Sequence, residues 1–203
     1  MSLKTLRIDR RYNAAIAFIG ACIGIVTSFM LTVDSLILAA TPKTQLGCDI
    51  SGKLSCSSVA ASWQANIIPL WGHHVPNAVF GIALFGIMAG FLFSLVLGFR
   101  PNRVIRWLLG IGTGGAVIFA GWLLIASVFS IKVLCPVCLT MDTGIILLVI
   151  GVVRWMRCLR YDAGLLHVRP HPEAALMMLG SWVSFVIELV PFALLGLIIV
   201  INI

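Results

Sequence analysis

Apolar residues in this chain come in long blocks rather than in alternation. The first covers 14–40 and is broken only near its end, by Asp34. Similar blocks cover 75–99, 106–131, 134–153 and 176–203. A helix rising 1.5 Å per residue needs about 20 residues to cross a ~30 Å hydrocarbon core. Each block meets that length, so the pattern predicts five transmembrane helices. Between them lie a long loop at 41–74, a tight polar turn at 100–103, a short turn ending at Lys132 and a polar linker at 161–175. Glycines scattered through the blocks suit the close approach of helices in lipid. The expected architecture is an all-α, polytopic membrane protein forming a single membrane domain over 1–203. The first block is too long for a signal-peptide core and lacks a small-residue cleavage site, so it is read as a retained span.

Composition agrees. Of 203 residues, 61% are hydrophobic and 10% charged, more apolar sequence than a soluble domain of this size can bury. The net charge of +7 raises the question of nucleic acid, and its placement answers it. With the N-terminus inside, the inner segments hold Lys4, Arg7, Arg10, Arg11, Arg100, Arg103, Arg106, Arg154, Arg157, Arg160 and Arg169. The outer segments hold only Lys43, Lys53 and Lys132. This is a positive-inside pattern. It sets five helices N-in and C-out in the cell (plasma) membrane, and it spreads the basic residues over several loops rather than one nucleic-acid-binding face.

Candidate chemistry lies in the cysteines. Cys135-Pro136-Val137-Cys138 opens the fourth block. At a helix N-terminus, free backbone N–H groups and the helix dipole favour a thiolate, which attacks disulfides and leaves readily. A structural disulfide or half a zinc site are the alternatives, and no second Cys/His pair of matching spacing completes a zinc site. Cys48 and Cys56 lie in the 41–74 loop, with Gly52 between them to permit a turn. Alone they read as a staple. The predicted topology puts them on the same outer, disulfide-permissive side as Cys135 and Cys138, and with that pair nearby a thiol relay accounts for them better. Cys22 falls mid-membrane and Cys158 on the inner side, and both read as packing residues.

Cys48, Cys56, Ser62-Trp63, Val75-Pro76-Asn77-Ala78-Val79-Phe80-Gly81 and Cys135-Pro136-Val137-Cys138, in this order and spacing, resemble the vitamin K epoxide reductase (VKOR) family over about residues 14–155, most of all its five-helix bacterial members. The resemblance implies a four-helix bundle around a quinone, capped by the outer loop, with a fifth helix beside it. It implies that a thioredoxin-like partner reduces Cys48 first. Cys56 then exchanges with Cys135, and Cys138 faces the quinone, either ubiquinone or menaquinone. It further implies that Asn77 hydrogen-bonds a quinone carbonyl, that Phe80 lies beside the ring, and that Ser62 helps hold the loop over the site. Many bacterial relatives continue into a fused thioredoxin-like domain. This chain stops at Ile203, so the expected partner is a separate, DsbA-like protein, unless the chain is a piece of a longer one.

The residues also stand without the family. Asn77 is an amide at the outer end of an apolar helix, where an unsatisfied group is costly. Its N–H groups suit an oxygen gaining charge, and a helix cap or interhelical bond is an equal alternative. Trp63 and Trp71 read as interfacial anchors. His73 and His74 fit no four-ligand metal spacing, and no metal is expected. Asp34, Asp142 and Glu188 are intramembrane acids. Asp142 follows Cys138 by one helical turn. It is a candidate for tuning that thiol or handling a proton of quinone reduction, at a position where many animal members of the family carry tyrosine. Asp34 reads as a structural bond to the loop, and Glu188 is unassigned. The leading expectation is a thiol:quinone oxidoreductase driving disulfide formation in exported proteins. The alternatives are a quinone or vitamin K epoxide reductase of different role, a thiol-based transporter, or a non-enzymatic assembly protein.

Overall fold

The structure, a computed structural model, describes residues 3–41, 44–70, 73–99 and 101–165. Helix α1 (Leu3–Ala40) leads into the outer loop. The loop holds a short helix α2 (Cys56–Ala60), a 3-10 turn (Trp63–Ala65) and a hairpin of strands β1 (Ile68–Leu70) and β2 (His73–Val75). Then come α3 (Asn77–Leu97), α4 (Arg103–Ala126), whose last turn widens into a π segment (Ser127–Ile131), and α5 (Pro136–Leu165). Among the described residues four stretches are long and apolar enough to cross a membrane: Ile8–Ala40, Asn77–Leu97, Arg103–Ile131 and Pro136–Leu159. The chain is therefore an all-α, multi-pass membrane protein. The expected span at 176–203, with Glu188, lies outside the described residues.

Two details differ from the hydropathy reading. Val75 belongs to β2, because Pro76 ahead of Asn77 ends the strand and starts the helix. The fourth helix runs on to Leu165, past the apolar block, since the Arg-bearing turns after Val153 remain good helix formers. The helix ends obey local rules. Gly98 adopts φ 98° and closes α3, with its N–H donating to Leu95 and that of Phe99 to Ser94. Arg11 on α1 donates to the Leu97 carbonyl at the same end. Asn102 caps α4 by accepting the Ile105 N–H at 2.9 Å.

Helix α1 is the spine, packed along both α5 and α3. Ala14, Ala17 and Ala21 are fully buried on one α1 face. Gly20 and Gly151 let α1 and α5 approach backbone to backbone. A Cβ on Gly20 would stand 2.5 Å from the Gly144 carbonyl oxygen and 2.6 Å from the Leu148 nitrogen. Leu92, Leu109, Leu148 and Trp155 fill the centre. Large side chains such as Ile19, Phe29, Ile118 and Phe129 point outward, as lipid allows.

Gly20→Ala should force α1 from α5 and lower stability by about 1–3 kcal/mol. Gly114→Ala, where a Cβ meets nothing within 4 Å, should be neutral. Thermal unfolding of the two purified variants in detergent reads the difference.

Candidate functional site

Local sequence builds one wall of the site at the start of α5. Pro136, with no N–H to leave unpaired, is the first residue of that helix. Cys135 immediately precedes it, in the cap position. Its sulfur accepts the Cys138 N–H at 3.3 Å, as a capping oxygen would. A hydrogen bond from the Cys138 thiol, followed by backbone N–H groups of Cys138 and Val137, draws the Cys135 thiol below its ordinary value against the opposing effect of burial. Cys135 is 2% exposed and lies one residue ahead of the membrane-spanning segment.

The other wall is the loop. The segment 53–55 runs parallel to the approach to α5: the Leu134 N–H donates to the Lys53 carbonyl at 2.9 Å, and the Ser55 N–H donates to the Leu134 carbonyl at 3.0 Å. This bridge sets Leu54 beside Leu134, and the next residues along put Cys56 beside Cys135. Their sulfurs are 3.7 Å apart, and Cys56 is fully buried. Cys48 and Cys56 are joined in a disulfide, while Cys135 and Cys138 are not disulfide-bonded. All four sulfurs therefore gather at one end of the bundle, as the topology required. Cys22 and Cys158 are not disulfide-bonded and stand apart from them; the Cys158 sulfur lies 3.7 Å from Asn13 Nδ2, near the start of α1.

Asp49 holds the disulfide loop in shape, and the sequence reading passed over it. Its carboxylate accepts the Leu46 N–H (3.0 Å), the Ser57 N–H (3.1 Å), the Ser55 hydroxyl (2.8 Å) and the Ser57 hydroxyl. These bonds, that of the Ser57 hydroxyl foremost, hold the carboxyl well below the ordinary carboxylate range. The available signal was an acid beside Cys48 followed by the serines flanking Cys56, a pattern that suits carboxylate–hydroxyl and carboxylate–amide bonds. Asp34 reaches the same loop from α1, with Oδ2 3.8 Å from the Cys48 sulfur, in keeping with its expected place against the loop.

Below the cap and beside Cys138 is a cavity of about 430 Å³, within the size range of cofactor sites. Its wall is almost wholly apolar. Phe80, Leu84 and Phe85 of α3, Phe119 and Leu123 of α4, and Met141 of α5 form its sides, with Val59, Ala60 and Ile67 of the cap above. Polar atoms come from Ser28, Ser35, Ser127 and Asn77. Of the expected ligand-binding residues, Asn77, Phe80 and Cys138 line this space, and Ser62 and Asp142 do not. Asn77 donates through Nδ2 to the Gln64 carbonyl (2.7 Å) and accepts the Ile67 N–H (3.3 Å). It thus ties α3 to the cap and keeps one Nδ2 hydrogen for another acceptor. Ser62 bonds within the cap, its hydroxyl donating to the Val59 carbonyl at 2.7 Å. Asp142 is buried in α5 one turn below Cys138. Gln64, also unforeseen, is buried and donates to the Ser130 hydroxyl at 3.3 Å, linking the cap to the end of α4. Trp63 lies exposed on the cap, edge-on to Trp122. The side chains of Trp71, His73 and His74 lie outside the described residues.

The family whose model matches this chain is described as the vitamin K epoxide reductase family, and the match covers residues 15–153. No curated protein matches the chain.

Asp49→Ala should loosen the loop, so that added dithiol reduces the Cys48–Cys56 disulfide several-fold faster in thiol-trapping time courses. Because folding lowers the Asp49 carboxyl below its ordinary value, its contribution is present in full above a pH of about 4 and fades as pH falls towards the folded value. The same acceleration should therefore appear in the wild-type protein when its acid-treated form is compared with the neutral one, using a phosphine reductant that stays active in acid.

Proposed function

The chain belongs to the vitamin K epoxide reductase family of quinone-linked membrane oxidoreductases, and from that premise we propose that it oxidises a thioredoxin-like partner outside the cytoplasm and passes the electrons to a membrane quinone. The observation that carries this reading is the 3.7 Å contact between Cys56 and Cys135. It is close enough for sulfur to attack sulfur with little movement, in a site from which water is excluded.

The electron route follows from the order of the sulfurs. A partner thiolate attacks Cys48, the half-exposed member of the loop pair, and Cys56 leaves as a thiolate. The partner's second thiol resolves that mixed disulfide and departs oxidised, leaving Cys48 reduced. Cys56 then attacks Cys135 of an oxidised Cys135–Cys138 pair, and Cys138 leaves as a thiolate at the cavity wall. Cys48 attacks Cys56, restores the loop disulfide and frees Cys135. Two electrons have then moved from partner to helix pair, and the result is the pattern seen here: loop oxidised, helix pair reduced.

The apolar cavity suits a quinone. A quinone bound there supplies an acceptor for two electrons and two protons. Phe80 would flank its ring, and the remaining Nδ2 hydrogen of Asn77 would bond a carbonyl oxygen. Ser62 acts at a distance by keeping the cap closed. Asp142 does not line the cavity; buried on α5 one turn from Cys138, it acts on that thiol through its charge. The basic loops set the N-terminus and the ends far from the cysteines on the cytoplasmic side, which makes disulfide formation in exported proteins the physiological outcome. A non-enzymatic staple would need neither a second thiol pair in contact with the loop disulfide nor a cavity beside it.

With a reduced thioredoxin-like protein and quinone, Cys48→Ala, Cys56→Ala, Cys135→Ala and Cys138→Ala should each lose at least 100-fold in quinone reduction. With a small dithiol as donor, Cys48→Ala should keep measurable turnover and the two α5 variants none. Turnover surviving in Cys138→Ala would overturn the relay. Asp142→Asn should shift the pH profile of turnover while leaving the quinone KM within about twofold.

A further inference from the structure

We propose that the fully reduced enzyme holds a thiolate-rich binding site for a soft divalent cation of the zinc class, built from Asp34, Cys48, Cys56 and Cys135. The site exists only when the loop disulfide is open. It goes beyond the electron relay and stands whether or not a quinone occupies the cavity.

The ligand atoms lie close to one another without yet forming a closed tetrahedron. Zinc binds thiolate sulfur at about 2.3 Å and carboxylate oxygen at about 2.0–2.2 Å, so neighbouring ligand atoms in a tetrahedral site stand roughly 3.5–3.8 Å apart. Cys56 and Cys135 sulfurs are already 3.7 Å apart, and Asp34 Oδ2 is 3.8 Å from the Cys48 sulfur. The Asp34 oxygen and both loop sulfurs lie within 4.8 Å of one another. The Cys48–Cys56 edge is too short, because a covalent bond spans it, and the Cys135 sulfur touches Cys56 but lies outside this group of three. Reduction removes that bond, which lets the two loop sulfurs part and lets Cys56, already against Cys135, draw that sulfur into the set.

The surroundings suit a cation. Asp49 holds the Leu46 and Ser57 N–H groups and the Ser55 hydroxyl, so the loop that carries Cys48 and Cys56 keeps its shape while their sulfurs part. Cys56 and Cys135 are buried, while Cys48 and Asp34 are half-exposed, which leaves one wet side for entry. Three sulfurs and one oxygen favour zinc or cadmium over magnesium or calcium. Binding forms three metal–sulfur bonds and one metal–oxygen bond, releases the thiol protons to solvent and moves no electrons. It also immobilises Cys48, Cys56 and Cys135 together. The cation therefore stops thiol exchange in the reduced enzyme and leaves the oxidised enzyme untouched.

The test uses the full chain in detergent, reduced under argon with a phosphine, and titrated with zinc. Cobalt serves as the spectroscopic probe. The reduced chain should bind one zinc per chain and show thiolate-to-cobalt charge-transfer bands. The chain with its loop disulfide intact should bind at least 100-fold more weakly. Asp34→Asn should weaken zinc binding at least tenfold while its metal-free turnover stays within twofold of wild type. Cys138→Ser should bind zinc as wild type does. Equal binding by the oxidised chain, undiminished binding by Asp34→Asn, loss of binding in Cys138→Ser, which would mark a simple chelate of the α5 pair, or no binding at all would each overturn the proposal.

Discussion

A two-bond backbone bridge decides where the chemistry sits. Lys53 and Ser55 clasp Leu134 from both sides, and that register carries Cys56 to Cys135. A side-chain period of two makes registers unforgiving, because a slip of one residue would turn Cys56 away. The bridge joins parts of the chain about eighty residues apart, so nothing local enforces it. It is held by what flanks it: the Asp49 network on the loop side, and on the other the left-handed turn at Lys132 (φ 58°), which ends the π segment and redirects the chain into α5. A wider last turn at functional positions is a recurrent feature of π segments. Here it delivers Val133 and Leu134 to the loop.

The cap and the cavity are one mechanical unit. Asn77 begins α3 and bonds two cap backbone groups, and Gln64 ties the same cap to Ser130 at the end of α4. The Gln64 carbonyl that accepts from Asn77 therefore belongs to the residue that reaches α4. Moving the cap disturbs both helices that line the cavity. Thiol chemistry above and a ring-sized space below are coupled through these few polar bonds in an otherwise apolar setting. In such surroundings each bond is costly to leave unmade.

Much of this was legible in the sequence. Block hydropathy gave the four described membrane helices, since crossing lipid imposes a length and composition that few other structures share. The side on which each cysteine falls followed from counting spans, and the gathering of Cys48, Cys56, Cys135 and Cys138 followed from that. Phe80 and Cys138, which the resemblance puts at a quinone, both line the cavity. Asp49, Gln64 and the Leu54–Leu134 bridge were not legible, and they share a reason. Each works through partners fixed by the fold rather than by spacing, and an acid or amide in a polar loop reads as solvated until its partners are known. The hairpin of β1 and β2 is of the same kind, three residues per strand inside a Trp- and His-bearing loop. Asn77 was half legible: its two readings, helix tie and ligand donor, turn out to be compatible, because an amide has donors and acceptors enough for both.

The four sulfurs also form a gradient of access. Cys48 is half-exposed, Cys56 is fully buried, Cys135 is 2% exposed, and Cys138 opens on the apolar cavity. A thiol in water meets Cys48 first, and the contact between the two pairs is dry. Thiol–disulfide exchange is promiscuous by nature, since any thiolate can attack any reachable disulfide. Order must then come from access and contact rather than from reactivity. The buried step between Cys56 and Cys135 is closed to a protein thiol, so in the proposed relay electrons entering at Cys48 from a protein partner would have one continuation. The capped thiol of Cys135, drawn below its ordinary value, is the one that Cys56 touches, which would make it a good leaving group in the proposed relay. Burial and helix capping act on the same atom, and together they would give a chemically indiscriminate reaction its direction.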